Sequence, residues 1–235
     1  MLSRTMTRDI HHELQKDQFR AHLLRYTRQA FQMLPALDAP AILDIGCGSG
    51  VPTLELARLS SGQIVGVDID PVCVDELARK AAAAGCADRV KALHSSLFAL
   101  DFPDESFDIL WAEGSIALIG FERGLTEWRR LLKPHGFLVI HDEIGNLRQK
   151  LRLIPTSGYA LLSHFIVAAA TWWQEYYRPL ESRIRELRAS YADDPQALAV
   201  LAAEEREVEM VKQSPERYAS VFFVLQKQER AERLL

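Results

Sequence analysis

Residues 42–50 read Ile-Leu-Asp-Ile-Gly-Cys-Gly-Ser-Gly, and this run restricts the fold more than any other part of the chain. Ile42, Leu43 and Ile45 suit a strand buried on both faces, as parallel strands are. Glycines at every second position, Gly46, Gly48 and Gly50, let the backbone turn sharply where side chains would collide with a ligand. Residues 51–59 (VPTLELARL) then supply a helix, and residues 63–70 (QIVGVDID) a second strand that ends at Asp68. Strand, glycine loop, helix, strand and acid make the outline of a nucleoside-binding βαβ unit.

What the loop lacks narrows the nucleoside. A dinucleotide fingerprint requires G-x-G-x-x-G, and counting from Gly46 its last position falls on Val51. A triphosphate loop requires a lysine, yet no Lys or Arg occurs from Ile42 through Ala57. Asp44 would repel phosphates, and Pro52 withdraws a backbone N–H from the helix start where anions dock. The expected ligand is a nucleoside without phosphate that carries an ammonium group, and S-adenosylmethionine fits that description.

The segment resembles motif I of the class I S-adenosylmethionine-dependent methyltransferases. The resemblance continues through GVDID (66–70), FPDESFDILWAEG (102–114) and EWRRLLKPHGFLVIHDE (127–143), in the order and approximate spacing of that family. It covers roughly Pro40 to Glu143. It implies a Rossmann-like, doubly wound α/β fold: a mostly parallel seven-stranded sheet with helices on both faces and an antiparallel last strand beside strand five. It also implies S-adenosylmethionine as methyl donor and S-adenosylhomocysteine as product.

The alternation of apolar and polar runs places strands at Ala41–Ile45, Ile64–Asp68, Arg89–Leu93, Phe107–Ala112, Phe137–His141, Tyr159–Val167 and Ser220–Gln226. Helices are expected to about Leu59, over Pro71–Ala84 and over Glu122–Leu132, with Lys133-Pro134-His135-Gly136 turning into strand five. Ile10 to Leu34 has loose helical spacing and reads as an N-terminal lid over the cofactor mouth. Trp172–Tyr191 and Gln196–Lys212 read as a helical insertion between the last two strands, broken at Asp193-Asp194-Pro195. We expect one domain over residues 1–235: an extension (1–39), a cofactor-binding core (40–144), and C-terminal strands with the insertion (145–235, insertion 171–213).

Ligands of doubly wound sheets lie outside the carboxyl ends of the strands, where strand order reverses. Gly46, Gly48 and Gly50 would admit the methionine and ribose portions, and Asp44 would meet the ammonium group directly or through water. Asp68 suits both ribose hydroxyls, because each carboxylate oxygen accepts one O–H. Asp70 is the alternative, although Asp70-Pro71 reads as a helix N-cap. Ile69, directly after Asp68, joins the cofactor-binding set. After strand three the family has a Gly-Asp pair whose aspartate accepts the adenine amino group. Here Ser95-Ser96 stand instead, leaving Ser96 as a weaker acceptor and the Leu97 N–H for a ring nitrogen.

Glu113 ends strand four, where the transferred methyl should lie, and is a candidate both for cofactor contact and for catalysis. His141 ends strand five and is a candidate acceptor of a proton from a hydroxyl or amine nucleophile. Trp172, Trp173, Tyr176 and Tyr177 form an aromatic cluster. One pair on a helix face would pack on the core and the other would floor a substrate pocket. His11, His12 and His22 read as surface residues, and no metal is expected.

The net charge of −4 opposes a phosphate-tracking surface, so nucleic acid is not an expected partner. Cys47, Cys73 and Cys86 form no C-x-x-C pair, which leaves a reducing cytoplasm as the default location. The longest apolar stretch, Tyr159 to Ala170, is too short to span a bilayer. The first eight residues hold two arginines, faintly like a transit peptide, and read as a frayed terminus. The expected reaction is in-line methyl transfer to a small, partly apolar or aromatic molecule by a monomer or homodimer. A protein methyltransferase and a noncatalytic S-adenosylmethionine-binding module are the alternatives.

Overall fold

The computed structural model describes residues 10–229, so the reading of the first eight residues lies outside the described part. The chain divides into two compact units, one of Arg25–Ile166 with Ser220–Leu235, the other of Met1–Leu24 with Val167–Ala219.

The larger unit carries the sheet, with strand order β3-β2-β1-β4-β5-β7-β6. The strands are β1 Ala41–Ile45, β2 Gln63–Asp68, β3 Val90–His94, β4 Phe107–Glu113, β5 Leu132–Glu143, β6 Tyr159–Val167 and β7 Ser220–Lys227. β1 to β5 pair in parallel, and β7 runs antiparallel to β5. The strand order reverses between β1 and β4, which puts the ligand crevice at their carboxyl ends. Leu43, Ile45, Leu110, Leu138, Ile140 and Phe223 are 0 % exposed and belong to one apolar core. That burial accounts for the continuous hydrophobic runs of the central strands.

Local chemistry sets the helix ends. Asp70 caps the Pro71–Ala83 helix by accepting the Val72 N–H at 2.9 Å, and proline fills its first turn. The helix expected over Glu122–Leu132 is α-helical only over Phe121–Trp128 and tightens to a 3₁₀ turn at Arg129–Leu131. The expected turn at 133–136 is looped out of β5: Leu132 pairs with Phe107 and Phe137 with Ile109, with His135 at φ 59° between them. The Leu147–Thr156 helix was not anticipated.

The N-terminal segment is not one continuous helix: residues 10–13 are helical, and after a turn the helices Lys16–His22 and Leu24–Gln32 follow. The smaller unit holds Ala169–Trp172, a π-helical turn at Trp173–Tyr177, then the Arg178–Ser190 and Pro195–Gln213 helices. Asp194 caps the last of these through the N–H groups of Gln196 and Ala197 at 3.0 and 3.1 Å, and the Asp193-Asp194-Pro195 break is where the sequence puts it. Leu14, Leu180, Ile184, Leu201 and Val208 form that unit's own core.

Among the described residues, no helix is long and apolar enough to cross a membrane. His11, His12 and His22 are exposed. No cluster of His, Cys, Asp and Glu among the described residues has the form of a metal site.

Candidate functional site

The glycine loop leaves β1 on two hydrogen bonds, from the Gly46 and Cys47 N–H groups to the Val67 carbonyl at 2.8 and 3.0 Å. Gly46, Gly48 and Gly50 have φ of 75°, 52° and 85°, the left-handed region that side chains disfavour. Their surroundings differ. A Cβ on Gly46 would lie 2.5 Å from the Ser115 Cβ, and one on Gly50 would lie 2.3 Å from Leu77 Cδ1. A Cβ on Gly48 would meet nothing within 4 Å. Two of the three glycines therefore serve close packing of the loop, and Gly48 faces open space.

Asp68 is fixed by backbone on both sides. Its Oδ2 accepts the Gly48 N–H at 2.9 Å and its Oδ1 the Asp70 N–H at 3.0 Å. Each carboxylate oxygen offers more than one lone-pair site, so this fixation still permits a hydroxyl at each. Asp70 is committed to its helix cap. Ile69 is 66 % exposed beside them, and its carbonyl accepts the His94 Nε2–H at 2.8 Å.

Asp44 is 1 % exposed and accepts the Thr53 hydroxyl at 2.6 Å, which ties β1 to the Val51–Leu59 helix. Burial, followed by the nearby Asp44 and Asp68 carboxylates, pushes the Cys47 thiol up. Cys47 therefore stays a protonated packing group rather than a nucleophile. Lysine is absent from the loop sequence but not from its surroundings. Lys80 reaches back from the Pro71–Ala83 helix and donates to the Ser49 carbonyl at 3.0 Å. Its ammonium also lies 3.5 Å from Glu76.

After β3, Ser96 accepts the Phe98 N–H on its hydroxyl at 3.3 Å and the Ala99 N–H on its carbonyl at 3.0 Å, forming a turn. The Leu97 carbonyl accepts the Trp128 Nε1–H at 3.2 Å.

At the end of β4, Glu113 Oε1 accepts two bonds, from Trp111 Nε1–H at 2.8 Å and from the Thr27 hydroxyl at 2.9 Å. Thr27 is completely buried and went unnoticed in the sequence. So did Ser115, which donates to the Ile45 carbonyl and closes against Gly46. Glu113 and His141 are register partners on β4 and β5 and so share a sheet face. His141 is buried; its Nε2 lies 2.7 Å from the Ser220 hydroxyl and its ring stacks on Phe222 at 4.3 Å. Phe165 stacks on the far side of Phe222 at 5.0 Å, and Tyr26 on Phe165 at 6.3 Å.

The four aromatics of the insertion lie within the smaller unit and pack against its core. The π turn changes the α-helical face pairing that their spacing suggests. Trp172 touches both Tyr176, at 6.0 Å, and Tyr177, five residues on, at 6.5 Å. Tyr177 is buried and donates to Glu207 at 3.1 Å, while Arg20 lies over Trp172 and Lys212 over Trp173. Burial pushes the Tyr176 hydroxyl up to about 12.

A cavity of about 670 Å³ opens between the Phe121–Trp128 and Leu147–Thr156 helices, lined in part by Phe121, Asp142, Asn146 and Lys150. It includes neither the glycine loop nor Asp68. At its edge Lys150 pairs with Asp142 at 2.7 Å and donates to the Glu143 carbonyl at 2.6 Å.

Residues 42–136 match the family model described as a methyltransferase domain. Over 119 residues the chain is 31% identical to 27-O-demethylrifamycin SV methyltransferase of Amycolatopsis mediterranei, covering 50% of this chain and 44% of that protein. The chain spans a little under half the length of the first curated relatives it matches. Two solved structures share the fold. The [4+2]-cyclase SpnF has a TM-score of 0.73 at 23% identity, over 88% of this chain and 82% of that one. An S-adenosylmethionine-dependent methyltransferase from Thiobacillus denitrificans, in complex with S-adenosyl-L-homocysteine, has a TM-score of 0.71 at 19% identity, over 86% and 90%. The 3-2-1-4-5-7-6 sheet, the loop at its reversal point and the methyltransferase-domain match over residues 42–136 agree with one another, and the chain has the fold of the class I S-adenosylmethionine-dependent methyltransferases.

Proposed function

We propose that the chain binds S-adenosylmethionine at the carboxyl ends of β1 and β2 and transfers its methyl group to a small, partly apolar or aromatic molecule. The observation that carries this reading is the Asp68 carboxylate. A backbone N–H from Gly48 on Oδ2 and another from Asp70 on Oδ1 fix the orientation of the carboxylate and leave each oxygen a lone-pair site for one hydroxyl of a vicinal diol. The open space beside Gly48 admits the ligand, and Asp44 with Asp68 gives the loop the acidic character that favours an ammonium and disfavours phosphates. Ile69 offers an exposed apolar surface beside the ribose position, with Ser96 and Leu97 as the adenine contacts.

When bound, the cofactor supplies an electrophilic methyl on a sulfonium. Glu113 holds an oriented carboxylate at the methyl end, and His141, tied to Ser220, lines the same sheet face. Alignment of the acceptor is the chief contribution asked of the protein, worth on the order of 7–11 kcal/mol in favourable cases. No strong base or metal is required for it. The small-molecule acceptor is supported by the rifamycin-modifying relative and by the aromatic column His141, Phe222, Phe165 and Tyr26. Substrate contacts at Trp172, Trp173, Tyr176 and Tyr177 belong to this proposal as well. So do a single functional domain, a monomer or homodimer, and a cytoplasmic location without nucleic-acid or membrane partners.

The likeness to a [4+2]-cyclase favours one second reading, a protein of this fold whose reaction is not methylation. Two measurements separate the readings. Calorimetry should give binding of S-adenosylmethionine but not NAD, and Asp68→Ala should weaken it at least about tenfold. Labelled methyl should then pass from the cofactor into molecules of a metabolite extract. Unchanged affinity in Asp68→Ala removes the ribose assignment. Binding without label transfer favours the second reading.

A further inference from the structure

We propose that Thr27 is a positioning residue for Glu113, and that residues 25–32 act as a fixed jaw that aims this carboxylate rather than as a mobile cover. The proposal rests on the reading of Glu113 as the polar group at the methyl end.

A threonine inside a helix has a local use for its hydroxyl, donation to the carbonyl one turn back. Thr27 instead donates 2.9 Å away to Glu113, 86 residues further along the chain. It does so with a side chain that is 0 % exposed, where an unsatisfied hydroxyl would be costly. Trp111 Nε1–H reaches the same oxygen from within β4. Two donors on separate elements fix Oε1 against swinging, since either alone would let the carboxylate pivot.

The segment carrying Thr27 is itself held at three further points. Arg28 pairs with the buried Glu55, the Phe31 ring meets Trp111 at 6.3 Å, and Tyr26 ends the column that runs through Phe165 and Phe222 to His141. Thr27 thus takes its position from a helix anchored through three neighbouring residues, and displacing that helix would withdraw one of the two donors that hold the Glu113 carboxylate.

The acceptor molecule is unidentified, so the test uses S-adenosylmethionine and S-adenosylhomocysteine. These differ at the sulfonium charge that an aimed Glu113 would sense. Calorimetry on the full chain should show Glu113→Gln shifting the affinity ratio against S-adenosylmethionine by about tenfold. Thr27→Val, which keeps the shape and removes the donor, should shift it the same way by about threefold. Thr27→Ser should restore the wild-type ratio, and all three variants should melt cooperatively near the wild type. A structural role alone would lower the melting temperature in Thr27→Val and leave the ratio unmoved. If Glu113→Gln shifts the ratio and Thr27→Val does not, positioning by Thr27 is overturned while the cofactor reading stands. If neither variant shifts it, Glu113 does not face the sulfonium and the positioning role falls too. If the wild type binds neither compound, the reading of the site itself fails.

Discussion

The carboxyl ends of β1 and β2 differ in construction from those of β4 and β5. The first pair is organised by backbone: three glycines with positive φ, two N–H bonds to the Val67 carbonyl, and a carboxylate held by two more N–H groups. The second pair is organised by side chains, several from distant segments: Glu113 with Thr27 and with Trp111 of its own strand, His141 with Ser220 and Phe222, and Asp142 with Lys150 of the next helix. A backbone-built end suits a ligand that many sequences must recognise alike. A side-chain-built end can be rewritten one pair at a time, as a change of acceptor requires. The contrast predicts that single substitutions at the second end leave buried groups stranded, whereas those at the first act through conformation.

The largest effect should come from Lys150. It and Asp142 are 7 % and 4 % exposed, so Lys150→Met leaves a carboxylate buried without its partner. Such a loss costs about 3–5 kcal/mol, whereas removing both charges is often neutral or stabilising. Chemical denaturation should therefore show a steep fall for Lys150→Met and recovery of most of it in the double variant Asp142→Leu, Lys150→Met. A loss below about 1 kcal/mol in the single variant would mean that the pair behaves as a surface one and that the contrast is overstated.

Next in size are two glycines that the contrast separates. Gly46→Ala must adopt φ near 75° and push against the Ser115 Cβ 2.5 Å away. Strain of about 1–2 kcal/mol and overpacking of about 1–3 kcal/mol should together lower stability clearly. Gly48→Ala meets open space, so only the strain of about 1–2 kcal/mol remains. Its new methyl group would instead stand in the open space through which the proposed ligand would approach. Melting curves should rank Gly46→Ala below Gly48→Ala, and calorimetry should show reduced S-adenosylmethionine affinity in a folded Gly48→Ala. Equal stabilities would remove the division between packing glycines and the ligand-facing one.

That division also explains what the sequence disclosed. β1, β6, the start of β7 and the Asp194 cap fall where local patterns put them, because strand burial, turn glycines and capping acids act over a few residues. The partners of Glu113 and His141 do not: Thr27 lies 86 residues from one, and Ser220 79 residues from the other. Only the assembled sheet brings them together. Lys80 shows the same limit in reverse, since a loop without cations in sequence acquires one in space. The π turn at Trp173–Tyr177 has no compositional signal, because it is a slip of hydrogen-bond register rather than a choice of residues. The Leu147–Thr156 helix did have one, in the i, i+4, i+7 spacing of Leu147, Leu151 and Ile154. Pro155 and a positive-φ Asn146 obscured its limits.

The smallest effect belongs to Cys47, the one side chain of the glycine loop that is packed inward at the backbone-built end. Burial and the two nearby carboxylates raise its ionisation above the ordinary thiol range. The unfolded chain then gives up the thiol proton at lower pH than the native chain. The native-state advantage is complete below the ordinary thiol value and is lost as pH rises beyond it. The loss should reach about 1.4 kcal/mol one pH unit above that value. Cys47→Ala removes this term and leaves a small cavity, so it should be less stable than the wild type at neutral pH. The gap between the two denaturation curves should then narrow steadily through the alkaline range, while the buried tyrosines Tyr159 and Tyr177, whose hydroxyls burial also raises, affect both proteins equally. A constant gap would mean that the Cys47 thiolate is tolerated in the native loop. The loop would then have room at Cys47 as well as at Gly48, and the close packing seen at Gly46 and Gly50 would not extend to the side chain between them.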